Sequence, residues 1–67
     1  MTPMLSPRQE QVLSLVAQGR TDKEIAALLS ISMGTVNHHM DLILTRLNAS
    51  SRANAVAIRF VKGFKRH

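Results

Sequence analysis

Cysteine is absent from the 67 residues, which excludes disulfides and thiolate metal sites. A chain of this length forms one domain, and without a covalent staple it must hold itself together by a small apolar core. Tryptophan and tyrosine are absent too, and Phe60 and Phe64 are the only aromatics. That core is therefore to be assembled from Leu, Ile, Val, Ala and Met. No apolar run approaches the roughly 18 residues of a membrane span. The start, Met1-Thr2-Pro3-Met4, has no charged segment leading into an apolar one, so no signal peptide is expected. Acidic residues are scarce: four Asp and Glu stand against nine Lys and Arg, for a net charge of +5. Those four carboxylates are scattered, and no nucleophile–base–acid set or glycine-rich phosphate loop accompanies them. Enzymatic chemistry is excluded on that ground, and no cofactor is expected. The basic balance points instead to a polyanionic partner, above all nucleic acid. The apolar fraction of 45% is too high for a disordered segment.

What is present is a set of legible helix starts. Ser6-Pro7-Arg8-Gln9 is a capping box with proline at the first helical position, where its missing N–H costs nothing. Val12, Leu13, Leu15, Val16 and Ala17 follow at helical spacing, and Gly19 suits a left-handed stop. The first helix is expected over about residues 7–18. Thr21-Asp22-Lys23-Glu24 is a second capping box, with Asp22 and Glu24 placed favourably at the positive end of the helix dipole. It opens a short helix over 22–29, with Ile25, Ala26, Leu28 and Leu29 as its buried face. Ser30-Ile31 forms a tight turn. Ser32 caps a third helix over 33–47, which Asn48 ends. Ser50-Ser51 caps a fourth over 52–62, ended by Gly63. The expected fold is all-α with four helices. Residues 5–63 form the domain, and 1–4 and 64–67 are flexible ends.

The third helix has two unlike faces. Each residue turns by about 100°, so Val36, Met40, Ile43 and Leu47 make one apolar stripe toward the core. The opposite arc carries Gly34, Asn37, His38, Asp41 and Thr45. A short helix, a tight turn and a longer amphipathic helix make a helix-turn-helix, whose second helix can enter the major groove. Base edges call for short, directed donors and acceptors. Asn37 suits adenine, His38 can donate or stack, and Asp41 can accept from the cytosine amine. Periodicity alone reports burial, so a merely solvated face stays open at this point.

Leu5-Ser6-Pro7-Arg8, Ala17-Gln18-Gly19, Lys23-Glu24-Ile25-Ala26, Ile31-Ser32, Thr35-Val36, His39, Arg46-Leu47, Ser51-Arg52-Ala53 and Ala55-Val56 together resemble the LuxR/FixJ/GerE-type helix-turn-helix domain. The resemblance covers about residues 5–60. It implies a bacterial transcription regulator, cytoplasmic and at the nucleoid, binding double-stranded DNA in sequence-specific fashion. It assigns base reading to Asn37, His38 and Asp41. Phosphate contacts fall to Thr21, Lys23, Ser32 and Thr35, through hydroxyls, charge and helix N-terminal amides. It also implies a homodimer on an inverted repeat, formed through the fourth helix. RNA polymerase is a further possible partner. A sensing or receiver domain usually precedes this one in the family and is absent from these residues, so a stand-alone regulator and an excised C-terminal domain both stay open. There are departures: Gly34 and Asn37 stand where lysine is common, Ser30 replaces the usual turn glycine, and Asp41 puts a negative charge on the reading face.

In the fourth helix, Ala53, Val56, Ala57, Phe60 and Phe64 follow one line that can close the core. Ile58 and Val61 lie to one side, and with the resemblance they become the expected dimer contact. Arg59, Lys62, Lys65 and Arg66 form a basic end. His38 and His39 are adjacent, so their side chains diverge by about 100° and do not chelate one ion; no metal site is expected. Two rival readings remain. One is the promoter-reading domain of a sigma factor, which Leu5–Leu47 also resembles and the Ser51-Arg52-Ala53 helix opposes. The other is a protein-interaction module that pairs with another regulator or RNA polymerase without reading DNA.

Overall fold

The computed structural model describes residues 5–63. Four helices follow in order: α1 Pro7–Ala17, α2 Asp22–Leu29, α3 Met33–Leu47 and α4 Arg52–Phe60. No strand occurs among the described residues. The expected flexible ends, 1–4 and 64–67, lie outside them.

Each helix begins on a hydroxyl that accepts an otherwise orphaned backbone N–H. Ser6 Oγ accepts from Gln9 N–H at 3.2 Å, and Gln9 Oε1 accepts from Ser6 N–H at 2.9 Å. Gln9 is the one buried polar residue among those described, and this reciprocal pair satisfies it. Thr21 and Glu24 repeat the arrangement at 3.1 and 2.9 Å. Ser32 accepts from Thr35 N–H at 3.0 Å. Ser51 accepts from Asn54 N–H at 3.0 Å, while Asn54 Oδ1 accepts from Ser50 N–H at 2.9 Å.

Three helices also end alike, in a Schellman motif closed by a left-handed residue. At α1 that residue is Gly19, with φ 86°. Arg20 N–H there donates to the Leu15 carbonyl at 3.1 Å. At α2 it is Ser30, with φ 57°. Ser30 N–H donates to Ala27 at 3.3 Å, and Ile31 N–H to Ala26 at 3.0 Å. At α3 it is Asn48, with φ 52°, and Ala49 N–H donates to Leu44 at 2.8 Å.

Two helices are shorter than expected. α1 stops at Ala17, because Gln18 has already flattened to ψ −3° as its N–H divides between several carbonyls. α4 stops at Phe60 rather than 62. Val61 there is extended, at φ −88° and ψ 113°. It is 52% exposed, so helix would bury nothing for it, and its branched side chain favours extended backbone. Gly63, at φ 81°, therefore lies in the turn beyond the helix and does not cap it.

The core gathers Leu5, Val12, Leu13, Ile25, Ala26, Val36, Met40, Ile43, Leu47 and Ala55. It is aliphatic, as the lack of aromatics requires. Truncating one such side chain typically costs about 2–5 kcal/mol, a large share of what so small a core supplies. The whole expected stripe of α3 is buried. Leu28 is a correction: it is 56% exposed. It lies about 100° round α2 from the mean direction of Ile25, Ala26 and Leu29. α4 needs a second correction. Its buried residue is Ala55, with Val56 and Ile58 packed partly against the core. Ala53 and Phe60 are exposed, and Phe64 lies outside the described residues, so the expected line through Ala53 and Phe60 does not close the core. α3 packs against all three other helices, whereas α2 and α4 do not pack on each other.

Candidate nucleic-acid interface

With one face of α3 committed to the core, its other face is presented whole. Gly34, Asn37, His38, Asp41 and Thr45 are all exposed. Thr45 is turned back on its own helix, donating to the Asp41 carbonyl at 3.0 Å. A Cβ on Gly34 would meet nothing closer than Ser32 Oγ at 3.7 Å. Packing within the protein therefore does not demand glycine there, and the space in front of it is open. The His38 and His39 rings sit 6.4 Å apart and tilted by 48°. His39 is half-buried beside the core stripe, with a buried Nδ1 that has no hydrogen-bond partner among the described residues. No group of three His, Asp or Glu able to hold one ion occurs among the described residues.

The expected phosphate-contacting groups collect at two helix starts. Thr21 caps α2 and Ser32 caps α3, both exposed, with Lys23 exposed and Thr35 half-buried one turn in. Ser32 Oγ and Thr35 Oγ1 lie 2.9 Å apart. One hydroxyl donates to the other, which leaves one O–H of the pair to donate outward. Helix N-termini carry free amides and the positive end of the dipole, and so favour an anion.

One residue of the site was not singled out from the sequence for what it does. Arg52, the first residue of α4, forks onto the Asp22 carboxylate, with Nη1 on Oδ1 and Nη2 on Oδ2 at 2.9 Å. The same Nη2 reaches Asn37 Oδ1 at 3.3 Å. The ion pair thus links α2 and α4 and touches the exposed polar face of α3. The Arg52 hydrogen bond holds the Asp22 carboxyl below its ordinary value, against the opposing effect of burial. Arg52 itself is raised, chiefly by the Asp22 bond and further by the charges of Asp22 and Asp41. A signal was there: arginine in a helix's first turn opposes the dipole and needs an anionic partner.

The expected basic end of α4 is corrected in one member. Arg59 is held by Glu10 of α1, its Nε at 2.9 and 3.0 Å from the two carboxylate oxygens and Nη2 at 2.7 Å. The guanidinium also lies 5.2 Å from the Phe60 ring centre. Arg59 fastens α4 to α1 and is committed there. Lys62 is exposed, while Lys65 and Arg66 lie outside the described residues. Of the expected dimer pair, Ile58 packs partly on the core and Val61 is exposed beyond the helix end. A shallow groove is lined by Glu10, Gln11, Ser14, Leu15 and Leu29. Its one carboxylate, Glu10, is the partner of Arg59.

Known proteins resemble this chain in sequence. The family model described as GerE, bacterial regulatory proteins of the luxR family, matches residues 3–59. The transcriptional regulatory protein DesR of Bacillus subtilis is 42% identical over 60 residues, covering 90% of this chain and 30% of that protein. The regulatory protein SdiA of Escherichia coli is 35% identical over 65 residues, covering 94% and 27%. The quorum sensing-dependent regulator VjbR of Brucella abortus is 43% identical over 54 residues, covering 81% and 21%. The chain thus spans less than a third of the length of each of these relatives. What they share with it is a helix-turn-helix domain of DNA-binding transcription regulators, which is not an enzyme.

Proposed function

This chain belongs to the luxR family of bacterial regulatory proteins, and from that premise we propose that α3 enters the DNA major groove and reads sequence there. The observation that carries the proposal is the exposed polar arc of α3, flanked by the capped N-termini of α2 and α3. Asn37, His38 and Asp41 face the base edges. Thr21, Lys23, Ser32 and Thr35 hold the phosphates on either side, which fixes register without carrying sequence information. Gly34 leaves room for close approach of the duplex. Two copies sit on an inverted repeat and touch through the end of α4, with Val61 at the contact and Ile58 behind it. Residues 5–63 act as the DNA-binding unit. If the chain is part of a longer regulator, a sensing or receiver domain governs it; RNA polymerase is the downstream contact, in the bacterial cytoplasm at the nucleoid.

A second reading, a protein-interaction module that does not read DNA, draws on one observation. Arg52 and Arg59 are engaged by Asp22 and Glu10, and Asp41 lies on the reading face. Salt separates the two readings. Neutralised phosphates release counterions, so duplex affinity should fall steeply as salt rises. Lys23→Ala should make that log–log slope shallower by about 1, equally for all sequences. No measurable duplex affinity even at low salt would favour the protein-interaction module.

A further inference from the structure

An asparagine amide has two ends, and which end meets a base decides which base it selects. Oδ1 accepts, and Nδ2 carries two donors. An asparagine free to turn makes both contacts to adenine, which offers N7 as acceptor and its amine as donor. Asn37 is not free in this way. Arg52 Nη2 lies 3.3 Å from Asn37 Oδ1, and a guanidinium has donors only. The end of the amide that faces Arg52 is therefore the oxygen, whichever way the side chain might otherwise flip. Arg52 is itself held by both carboxylate oxygens of Asp22. It therefore cannot swing out to release the amide without giving up that fork.

From this chain of contacts we infer that Arg52 is a positioning residue for Asn37, turning its Nδ2 donors to the groove so that Asn37 selects guanine over adenine. Guanine presents two acceptors, N7 and O6, to an amine with two hydrogens. Adenine would need the oxygen, which is held back toward α4. The inference rests on the reading of α3 as the groove helix. It changes the base that Asn37 alone would be expected to prefer.

The test is selection of bound duplexes from a random pool by the wild type, Asn37→Ala and Arg52→Lys. The base pair that Asn37→Ala relaxes marks the position Asn37 reads. The wild type should prefer guanine over adenine there by about fivefold or more. Lysine can still pair with Asp22, but its single ammonium does not span Asp22 and Asn37 together. In Arg52→Lys the guanine preference should therefore vanish or turn toward adenine at that position, with the other positions unchanged. Adenine preferred by the wild type there overturns the inference, whatever the fold of Arg52→Lys. So does a guanine preference that Arg52→Lys leaves intact, or a relaxation spread over every position, which would report a structural role only. A wild type that enriches no motif defeats the reading of α3 itself, and this inference with it.

Discussion

At the left-handed position that closes α2, the residue is serine, with φ 57° and ψ 44°. A Cβ in this region costs about 1–2 kcal/mol, and glycine escapes that cost at the expense of chain entropy. Ser30→Gly should therefore stabilise the domain by about 0.5–1 kcal/mol. The midpoint of thermal unfolding should rise by several degrees, at about 4–8 °C per kcal/mol for a domain of this size. An unchanged or lower midpoint would show that the Ser30 side chain stabilises the turn in a way its backbone does not reveal. Asn48 takes the same conformation at the end of α3, where asparagine is better tolerated. The turn between α2 and α3 is thus the more strained of the two.

Between elements, the Asp22–Arg52 fork joins two helices that do not otherwise pack. Its protonation behaviour has a definite sign. The Asp22 carboxyl sits below its ordinary value in the fold, so its contribution is fully present above the unfolded value, about 3.9. That contribution is lost as pH falls through the lower, folded value. Glu24 is lowered too, chiefly by the Thr21 backbone N–H. The urea midpoint should therefore stay level from pH 7 to about 5 and decline below about pH 4. Asp22→Asn should lower the midpoint at neutral pH and make the acid decline shallower. The same decline in both proteins would remove Asp22 from the account.

The elements themselves were readable because their ends are local chemistry. Ser6, Thr21, Ser32 and Ser51 each sit three residues before the N–H they satisfy. The bounds of α2 and α3 match the expectation residue for residue. The apolar stripe of α3 was readable by periodicity for the same reason. Legibility failed where the answer depends on a neighbour. α4 carries apolar residues on several sides, and only the position of α1 and α3 makes Ala55 the buried one. Arg59 reads as one member of a basic end because its partner, Glu10, lies 49 residues away in sequence. The Arg52 contact with Asn37 is of this kind as well. The base-facing and phosphate-facing assignments came from the resemblance, because a contact with DNA leaves no local pattern of caps or periodicity in the sequence.

At the scale of the molecule, α3 is the hub against which α1, α2 and α4 pack, so its exposed polar face is positioned by all three. The two cross-helix arginines hold α4 in place from both sides. The end of α4 is the proposed contact with a second copy, where Phe60 is 44% and Val61 52% exposed. Ile58 packs partly on the core, so its substitution would also disturb folding. Val61→Asp is the cleaner probe. It should weaken binding to a duplex carrying two inverted half-sites by at least about tenfold, since burying one unpaired charge costs several kcal/mol and tenfold is only about 1.4 kcal/mol. Binding to a single half-site should hardly change. Equal losses on both duplexes would place the dimer contact elsewhere.

The claim on which the rest depends is that this domain reads sequence through α3. Selection from a random duplex pool at moderate salt tests it most directly. The wild type should enrich an inverted repeat, and Asn37→Ala should relax one position in each half. Enrichment of no motif, with only weak salt-sensitive binding to every duplex, would contradict it.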